Sequence, residues 1–357
     1  MPDLTDGMAP ADAVSAYLEA GGDPTDLAAS LFDLGWGVPD STAVWTDFDG
    51  DGHLDFAASL TGAPDAQGVA EDGSVTLWRC QDGAYQRAEI APPRTDFGPP
   101  AIHQARDLTA DGLPELIVAY PLCGAHTCFA QFAVYQWDGA DMVDRFQGAS
   151  DDMPFPELVI EADDPSSPAA IEITATGIGS VGAGPYRTWS RIWTWDGDAR
   201  AFVPGEPVIE APRFRIHAIH DADDAYLRGD LEAAVELYQF AIDDDALLDW
   251  PAAGARRQDL AAYAAFRRVL AFLATGDELS AQAELDDRLM GRDASTTAYA
   301  ELARRLLSGY ADSRFVQACA DVPSFARENT DAVLAPLDFG YANRTYTAED
   351  ICPMIGR

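Results

Sequence analysis

Three times in this chain an acidic residue stands directly before an apolar run: Asp55 before FAASL, Glu115 before LIVAY and Glu172 before ITATG, 60 and 57 residues apart. A second marker keeps step with the first. Trp78 precedes Asp82-Gly83, Trp137 precedes Asp138-Gly139 and Trp195 precedes Asp196-Gly197, with the glycines 56 and 58 residues apart. Self-similarity at a fixed period means that one structural unit is being repeated, and it constrains the fold more than any single residue does. Asp-Gly between apolar runs signals a hairpin, because glycine accepts the positive φ that such turns require. Each repeat therefore holds about four antiparallel strands, the size of a propeller blade. About three such blades span roughly Thr42 to Pro207. Three are too few to close a ring. The expectations are an open arc with flanking helices over its edges, since bare edges invite aggregation, or a compact sandwich.

The sequence changes character on both sides of this region. Ala11 to Trp36 reads as two short helices split by Gly21-Gly22, with Asp23-Pro24 opening the second and Leu27, Leu31 and Leu34 forming one apolar face. From about Phe214 the chain is helical. The expected helices run over Ile216–Arg228, from Gly229 through Ile242, over Ala261–Ala274, Leu279–Met290, Thr297–Ser308 and Arg314–Glu328. Short connections between antiparallel helices build a small bundle or solenoid. The fold class is thus multidomain β plus α. A short N-terminal helical segment covers 1–38, the β-repeat domain 39–210, and a helical domain with a C-terminal tail 211–357.

Between Trp45 and Phe56 the sequence reads TDFDGDGHLD. Asp47, Asp49, Asp51 and Asp55 occupy positions 1, 3, 5 and 9 of one loop, and Gly50 and Gly52 permit the sharp bend. Alternate spacing in a tight turn brings every second side chain to one side, and the His53 carbonyl supplies a backbone oxygen at position 7. Calcium takes six to eight oxygens at about 2.3–2.6 Å, so this donor set suits Ca2+. Without a cation, carboxylates this close repel one another. An EF-hand begins the same way but needs a bidentate acid at position 12, here Ala58, and helices on both sides. The second loop, DLTADGLPE, keeps Asp107, Thr109, Asp111 and Glu115 at the same positions, with Leu113 at position 7. One carboxylate has become a hydroxyl, which predicts a weaker site. A third copy, DPSSPAAIE, retains Asp164, Ser166 and Glu172 but has Pro168 and Ala169 where Asp and Gly stood, and is expected to bind nothing.

This pattern resembles the FG-GAP or VCBS repeats of bacterial surface proteins and integrin-type propellers, clearly in two repeats and faintly in the third. In that family the loop D-x-D-x-D-G-x-x-D binds calcium. The resemblance implies that role for Asp47, Asp49, Asp51 and Asp55, and for Asp107, Asp111 and Glu115 with Thr109 as a tolerated departure. The helical region looks like tetratricopeptide repeats, with Gly229, Ala234, Tyr238 and Ala241 matching the second half of that motif. The copy at Gly276 lies 47 residues on, which departs from a regular superhelix.

Charge narrows the partners. There are 60 acids against 23 bases, all of them arginine, for a net charge of −37. Such a surface repels phosphate backbones, which excludes nucleic acid as an expected partner. A GC-rich genome or life in salt accounts for most of these acids as a solvated surface. Nowhere do about 18 apolar residues run together, so no membrane-spanning helix is expected. Met1–Pro10 is polar and acidic, so no signal peptide is expected in the chain as given. Cys123 and Cys128 flank GAHT, and Cys319 and Cys352 bracket the last segment; both pairs suit local disulfides in an oxidising compartment, with Cys80 left over. A zinc site at Cys123, His126 and Cys128 lacks a fourth ligand. His217 and His220 stand beside Asp221, Asp223 and Asp224, where helix capping explains the acids. No nucleophile motif or phosphate-cradling loop occurs. The resulting expectation is a calcium-binding, non-enzymatic, extracytoplasmic protein, whether secreted, periplasmic or on the cell surface. Ca2+ braces its β-repeats, and its helical region meets a protein or peptide partner. The alternatives are a carbohydrate-recognition module stacking sugars on Trp78, Trp137, Trp193 and Trp195, and a hydrolase with an unrecognised carboxylate pair.

Overall fold

The computed structural model describes residues 9–38, 41, 43–61, 73–92, 94, 97–162, 164, 166–250, 257–290, 294–310 and 315–353. The chain divides into two compact units, one of residues 1–177 and 188–209, the other of residues 178–187 and 210–357. The N-terminal helices belong to the first unit rather than forming a body of their own.

That unit holds three antiparallel sheets, each a meander of consecutive strands. The first comprises β1 (Val44–Thr46), β2 (Asp55–Thr61), β3 (Gly73–Gln81) and β4 (Ala84–Ala91). The second comprises β5 (Ala101–Arg106), β6 (Glu115–Cys123), β7 (Cys128–Trp137) and β8 (Met142–Asp144). The third comprises β9 (Pro156–Glu161), β10 (Ala170–Ala175), β11 (Trp189–Asp196) and β12 (Ala201–Pro204), with β13 (Val208–Ile209) also pairing to β11. The hairpin reading of Asp82-Gly83 holds in full: Gln81 pairs with Ala84, and both turn residues have positive φ, 50° and 82°. The later turns are longer, with Trp137 paired to Met142 and Asp196 to Ala201.

Strand β2 is buried along its whole length because both of its faces are covered. On one face Phe56, Ala58, Leu60 and Trp78 pack against Val14, Tyr17, Leu18, Leu27 and Leu31 of helices α1 (Pro10–Glu19) and α2 (Pro24–Asp33). On the other, Ala57, Val75 and Leu77 pack against Leu116, Val118, Tyr120 and Ala133 of the second sheet. The helices thus close a sheet face, not the sheet edges that sequence reasoning assigned them. An apolar face is the larger liability, since each fully buried large side chain contributes about 1.5–3 kcal/mol. The second and third sheets are tied by a parallel bridge between Phe146 and Phe202 and by the stacking of Phe146 on Trp193 at 4.8 Å. Cys123 and Cys128 are disulfide-bonded across the β6–β7 hairpin, and Cys80 is free and buried.

The second unit is helical. Helices α3 (Arg215–Leu227) and α4 (Leu231–Asp243) form a hairpin turned at Gly229, φ 81°. Helix α5 (Arg257–Thr275) packs on both. Helix α6 (Glu278–Glu284) runs into a π-helical turn at Leu285–Leu289 and is followed by α7 (Ala294–Tyr310). The single helix expected over 314–328 is instead two short ones, α8 (Phe315–Cys319) and α9 (Val322–Glu328), with Pro323 in the first turn of the second. Proline lacks the N–H that would continue a helix through this point. Arg314 lies outside the described residues. A disulfide joins Cys319 to Cys352 in the tail.

The Asp cluster of α3 does not cap it. The helix starts at Arg215, so no acid lies in its first turn. Asp221 pairs with Arg187, and Asp224 with Arg344. Asp223 is buried and accepts from the hydroxyls of Tyr238, Tyr263 and Tyr346. It also lies 3.2 Å from Nε of the buried Arg267, whose Nη1 donates to the Asp350 carbonyl. Breaking such a pair strands a charge in low dielectric. Arg267→Met is therefore expected to lower the unfolding free energy by about 3–5 kcal/mol. The same change at Arg257, whose pairing with Asp245 is exposed, should cost under about 1 kcal/mol. Urea denaturation of the two variants checks the contrast.

Candidate metal centre

Both acidic loops connect the first and second strands of a sheet, and both are built the same way. In the first, Phe48 at position 2 is buried in the core between the sheets. Asp55 at position 9 is also fully buried; its Oδ2 accepts from Phe48 N at 2.9 Å and its Oδ1 from Cys80 N at 2.8 Å. Asp47 draws the turn closed by accepting from Gly50 N and Gly52 N at 2.7 and 2.9 Å. Gly50 and Gly52 have φ of 76° and 89°, a region open to glycine at little cost. Asp49 accepts from Asp51 N, and Asp51 from His53 N.

The second loop repeats this path. Leu108 is buried at position 2, and its N–H donates to Glu115 Oε2 at 2.6 Å. Asp107 accepts from Ala110 N and Gly112 N, and Asp111 from Leu113 N. Ala110 has φ 60° where the first loop has a glycine, so the turn is imposed here against side-chain preference. The loops are neighbours: a Cβ on Gly50 would stand 3.0 Å from Leu113 Cδ2.

The oxygens of Asp47, Asp49 and Asp55 lie within 4.8 Å of one another. Two oxygens on opposite sides of one calcium ion are at most about 5 Å apart, given bonds of about 2.3–2.6 Å. No two of these oxygens lie farther apart than that span. Asp51 and His53 are exposed at the outer side of the turn, and Asp51 is not among the three that converge. Among the described residues, Asp107, Asp111 and Glu115 form no comparable acidic group. The oxygens that gather in the second loop are those of Thr109, Asp111 and Glu115: Thr109 Oγ1 donates to Glu115 Oε1 at 3.0 Å, and all three face the amide of Gln136. Leu113 is half-buried, and its N–H serves the turn.

Strand register corrects the third loop by two residues. Thr46 pairs with Asp55 and Arg106 with Glu115, each pair enclosing the loop; the matching pair in the third sheet is Glu161 with Ala170. The loop is therefore 162–170, with Ala162 at position 1 and Ala170 at position 9, while Glu172 lies within β10 opposite Val159. Asp163 and Pro165 lie outside the described residues. The Asp164 carboxylate accepts from the N–H and hydroxyl of Ser166, and its carbonyl from the N–H and hydroxyl of Ser167. The tryptophan markers shift likewise: Trp78, Tyr135 and Trp193 are the equivalent residues, paired with Phe56, Leu116 and Ile171.

Two residues escaped the sequence reading. Arg79 and Gln136 each follow that equivalent aromatic on the third strand, and each reaches its own loop. Arg79 Nη1 lies 3.5 Å from Asp49 Oδ2, with its guanidinium over Trp137 at 4.8 Å. Gln136 Nε2 donates into the second loop. Sequence alignment on tryptophan hides their equivalence, and only register reveals it. Of the aromatics offered for sugar stacking, Trp78 and Trp193 are fully buried and Trp137 is covered by Arg79. The cysteines beside His126 are joined to each other and offer no thiolate.

Comparison with protein-family models, curated proteins and solved structures returns no match to this chain.

Burial, reinforced by the charges of Asp49 and Asp47, pushes the Asp55 carboxyl up to about 6, against the bonds from Cys80 and Phe48. Burial also raises Asp49 and Glu115. A raised carboxyl binds its proton more tightly in the folded state, so stability is greatest in acid and falls as pH climbs from about 4 to about 6. For Asp55 the shift from 3.8 to about 6 corresponds to about 3 kcal/mol. In EDTA, denaturant titrations from pH 4 to 7 should show this loss relative to Asp55→Asn.

Proposed function

We propose that this chain is a non-enzymatic calcium-binding protein whose first and second acidic loops hold Ca2+, and that the ion braces the β-repeat unit. The observation that carries this reading is the convergence of Asp47, Asp49 and Asp55 within 4.8 Å. Their carboxylates are already oriented by backbone N–H groups. A cation would offset the repulsion and desolvation that raise Asp49 and Asp55. It would also tie β1, β2 and β3 together, because Asp55 already bridges the loop to the third strand.

The sheets, each of four antiparallel strands along its main path, read as propeller-like blades set in an open arc, with the third blade keeping the fold after losing the site. The α3–α4 hairpin reads as a tetratricopeptide-like element, in which Ala234, Tyr238 and Ala241 face the core. Its role on this reading is to meet a protein or peptide partner. The two disulfides favour an extracytoplasmic setting. Among the described residues no helix is long and apolar enough to cross a membrane.

Thermal melts in EDTA and across a calcium titration test the central claim. Binding to the folded state alone raises stability by about 2.7 kcal/mol at a hundred times the dissociation constant. The rise should shrink in Asp47→Asn/Asp49→Asn and largely survive in Asp51→Asn, whose side chain lies outside the converging trio. A wild-type melt that ignores calcium would sink the reading. Arg79 sets a positive charge beside Asp49, in competition with a metal. Arg79→Gln is accordingly expected to shift the calcium midpoint several-fold lower, as measured by the same melts.

A further inference from the structure

Gln136 is 4% exposed, and its amide head lies inside the second loop. Nε2 faces three oxygens at once: Glu115 Oε1 at 3.0 Å, Asp111 Oδ2 at 3.1 Å and Thr109 Oγ1 at 3.3 Å. An amide nitrogen carries two hydrogens, so it cannot serve three acceptors fully. Its other end fares worse, for Oε1 is buried with no hydrogen-bond partner. A buried carbonyl left unpaired is costly. Turning the amide over would offer Oε1 only the Thr109 hydroxyl as a donor, would set it against the oxygens of both acids, and would move the NH2 group to the position without a partner. Neither orientation satisfies the group by hydrogen bonds alone.

A divalent cation resolves the conflict. The three oxygens lie 3.0, 3.1 and 3.3 Å from Nε2 and so already gather about one point of the loop, as the oxygen ligands of a hard cation must. With the amide turned over, Oε1 becomes a fourth oxygen of the same set and is no longer the atom without a partner. Resting on the calcium reading above, we infer that Gln136 is an exchangeable ligand of the second loop. Its nitrogen holds the loop oxygens together when no ion is bound, and its oxygen joins the ion when one is. The equivalent Arg79 of the first loop lacks an oxygen and cannot act in this way. This makes the second loop the one that gains a ligand from the neighbouring strand, although it has fewer carboxylates in its own sequence.

The test is isothermal titration of calcium chloride onto full-length, EDTA-stripped protein carrying Asp47→Asn/Asp49→Asn, so that the second loop alone reports. Three forms are compared: Gln136 retained, Gln136→Leu and Gln136→Glu. The expected result is at least tenfold weaker binding for Gln136→Leu. For Gln136→Glu, binding should be several-fold tighter while the melting temperature in EDTA falls, because a carboxylate gives the ion an oxygen but gives the loop no donor. A merely structural glutamine would leave both affinities near the parent value or weaken both, and that outcome overturns the inference while leaving the calcium reading intact. If Gln136→Leu does not fold, Gln136→Glu decides alone, and equal or weaker binding refutes the exchange. No binding by the form that retains Gln136 overturns the second loop as a cation site, and the exchange with it. The first loop is then judged by its own melts.

Discussion

The β-repeat unit turns on a buried acid at the ninth position of a loop. Asp55 and Glu115 each begin the second strand of a sheet in full burial, and each accepts the N–H of the loop's second residue, Phe48 or Leu108. That bond places an apolar side chain of the loop in the core and turns the loop back on itself. It also commits a carboxylate to a site where ionisation is unfavourable. Burial is the largest cause of the raised affinity of both acids for protons. A loop held by a charge it cannot easily solvate favours whatever offsets that charge, whether a proton, a cation or a donor side chain.

The repeat of antiparallel sheets was legible from residue order. The period near 60 residues, the Asp-Gly turns and the odd-numbered spacing of acids correspond to three meander sheets and two loops of matching path. What stayed hidden depended on contacts between strands distant in sequence. Trp137 and Trp195 mimic Trp78 in the sequence, yet the pairing of Phe56, Leu116 and Ile171 makes Tyr135 and Trp193 its equivalents. The same two-residue illusion put Glu172 at the end of the third loop. Asp51 shows the converse limit: it fits the motif, but it spends its near oxygen on His53 N at the outside of the turn.

The helical unit surrounds a buried acid with partners of its own. Asp223 is as buried as Asp55, but three tyrosine hydroxyls and Arg267 surround it. Charge is matched within the protein, and the guanidinium also stacks on Tyr226 at 4.5 Å. Sequence periodicity marked Tyr238 as a core residue but could not show that its hydroxyl faced an acid on the preceding helix. Helical spacing gives the face of a residue, whereas the partner on that face belongs to another segment.

Set side by side, the three loops show two ways of anchoring the same turn. The first two share the buried second residue and the buried ninth acid. The third has alanine at position 9 and is attached instead through Ala169 N to the Leu108 carbonyl at 2.7 Å, a backbone bond needing no charge. A backbone bond to the neighbouring loop thus holds the third loop where the other two use an acid. The first two loops then differ in a residue outside the motif, Arg79 or Gln136, projected from the third strand. A permanent positive charge partly neutralises the first loop from within, whereas a neutral amide leaves the second loop's charge unbalanced. Ranking the loops by their own carboxylates alone therefore omits the side chain that enters from the strand beside them.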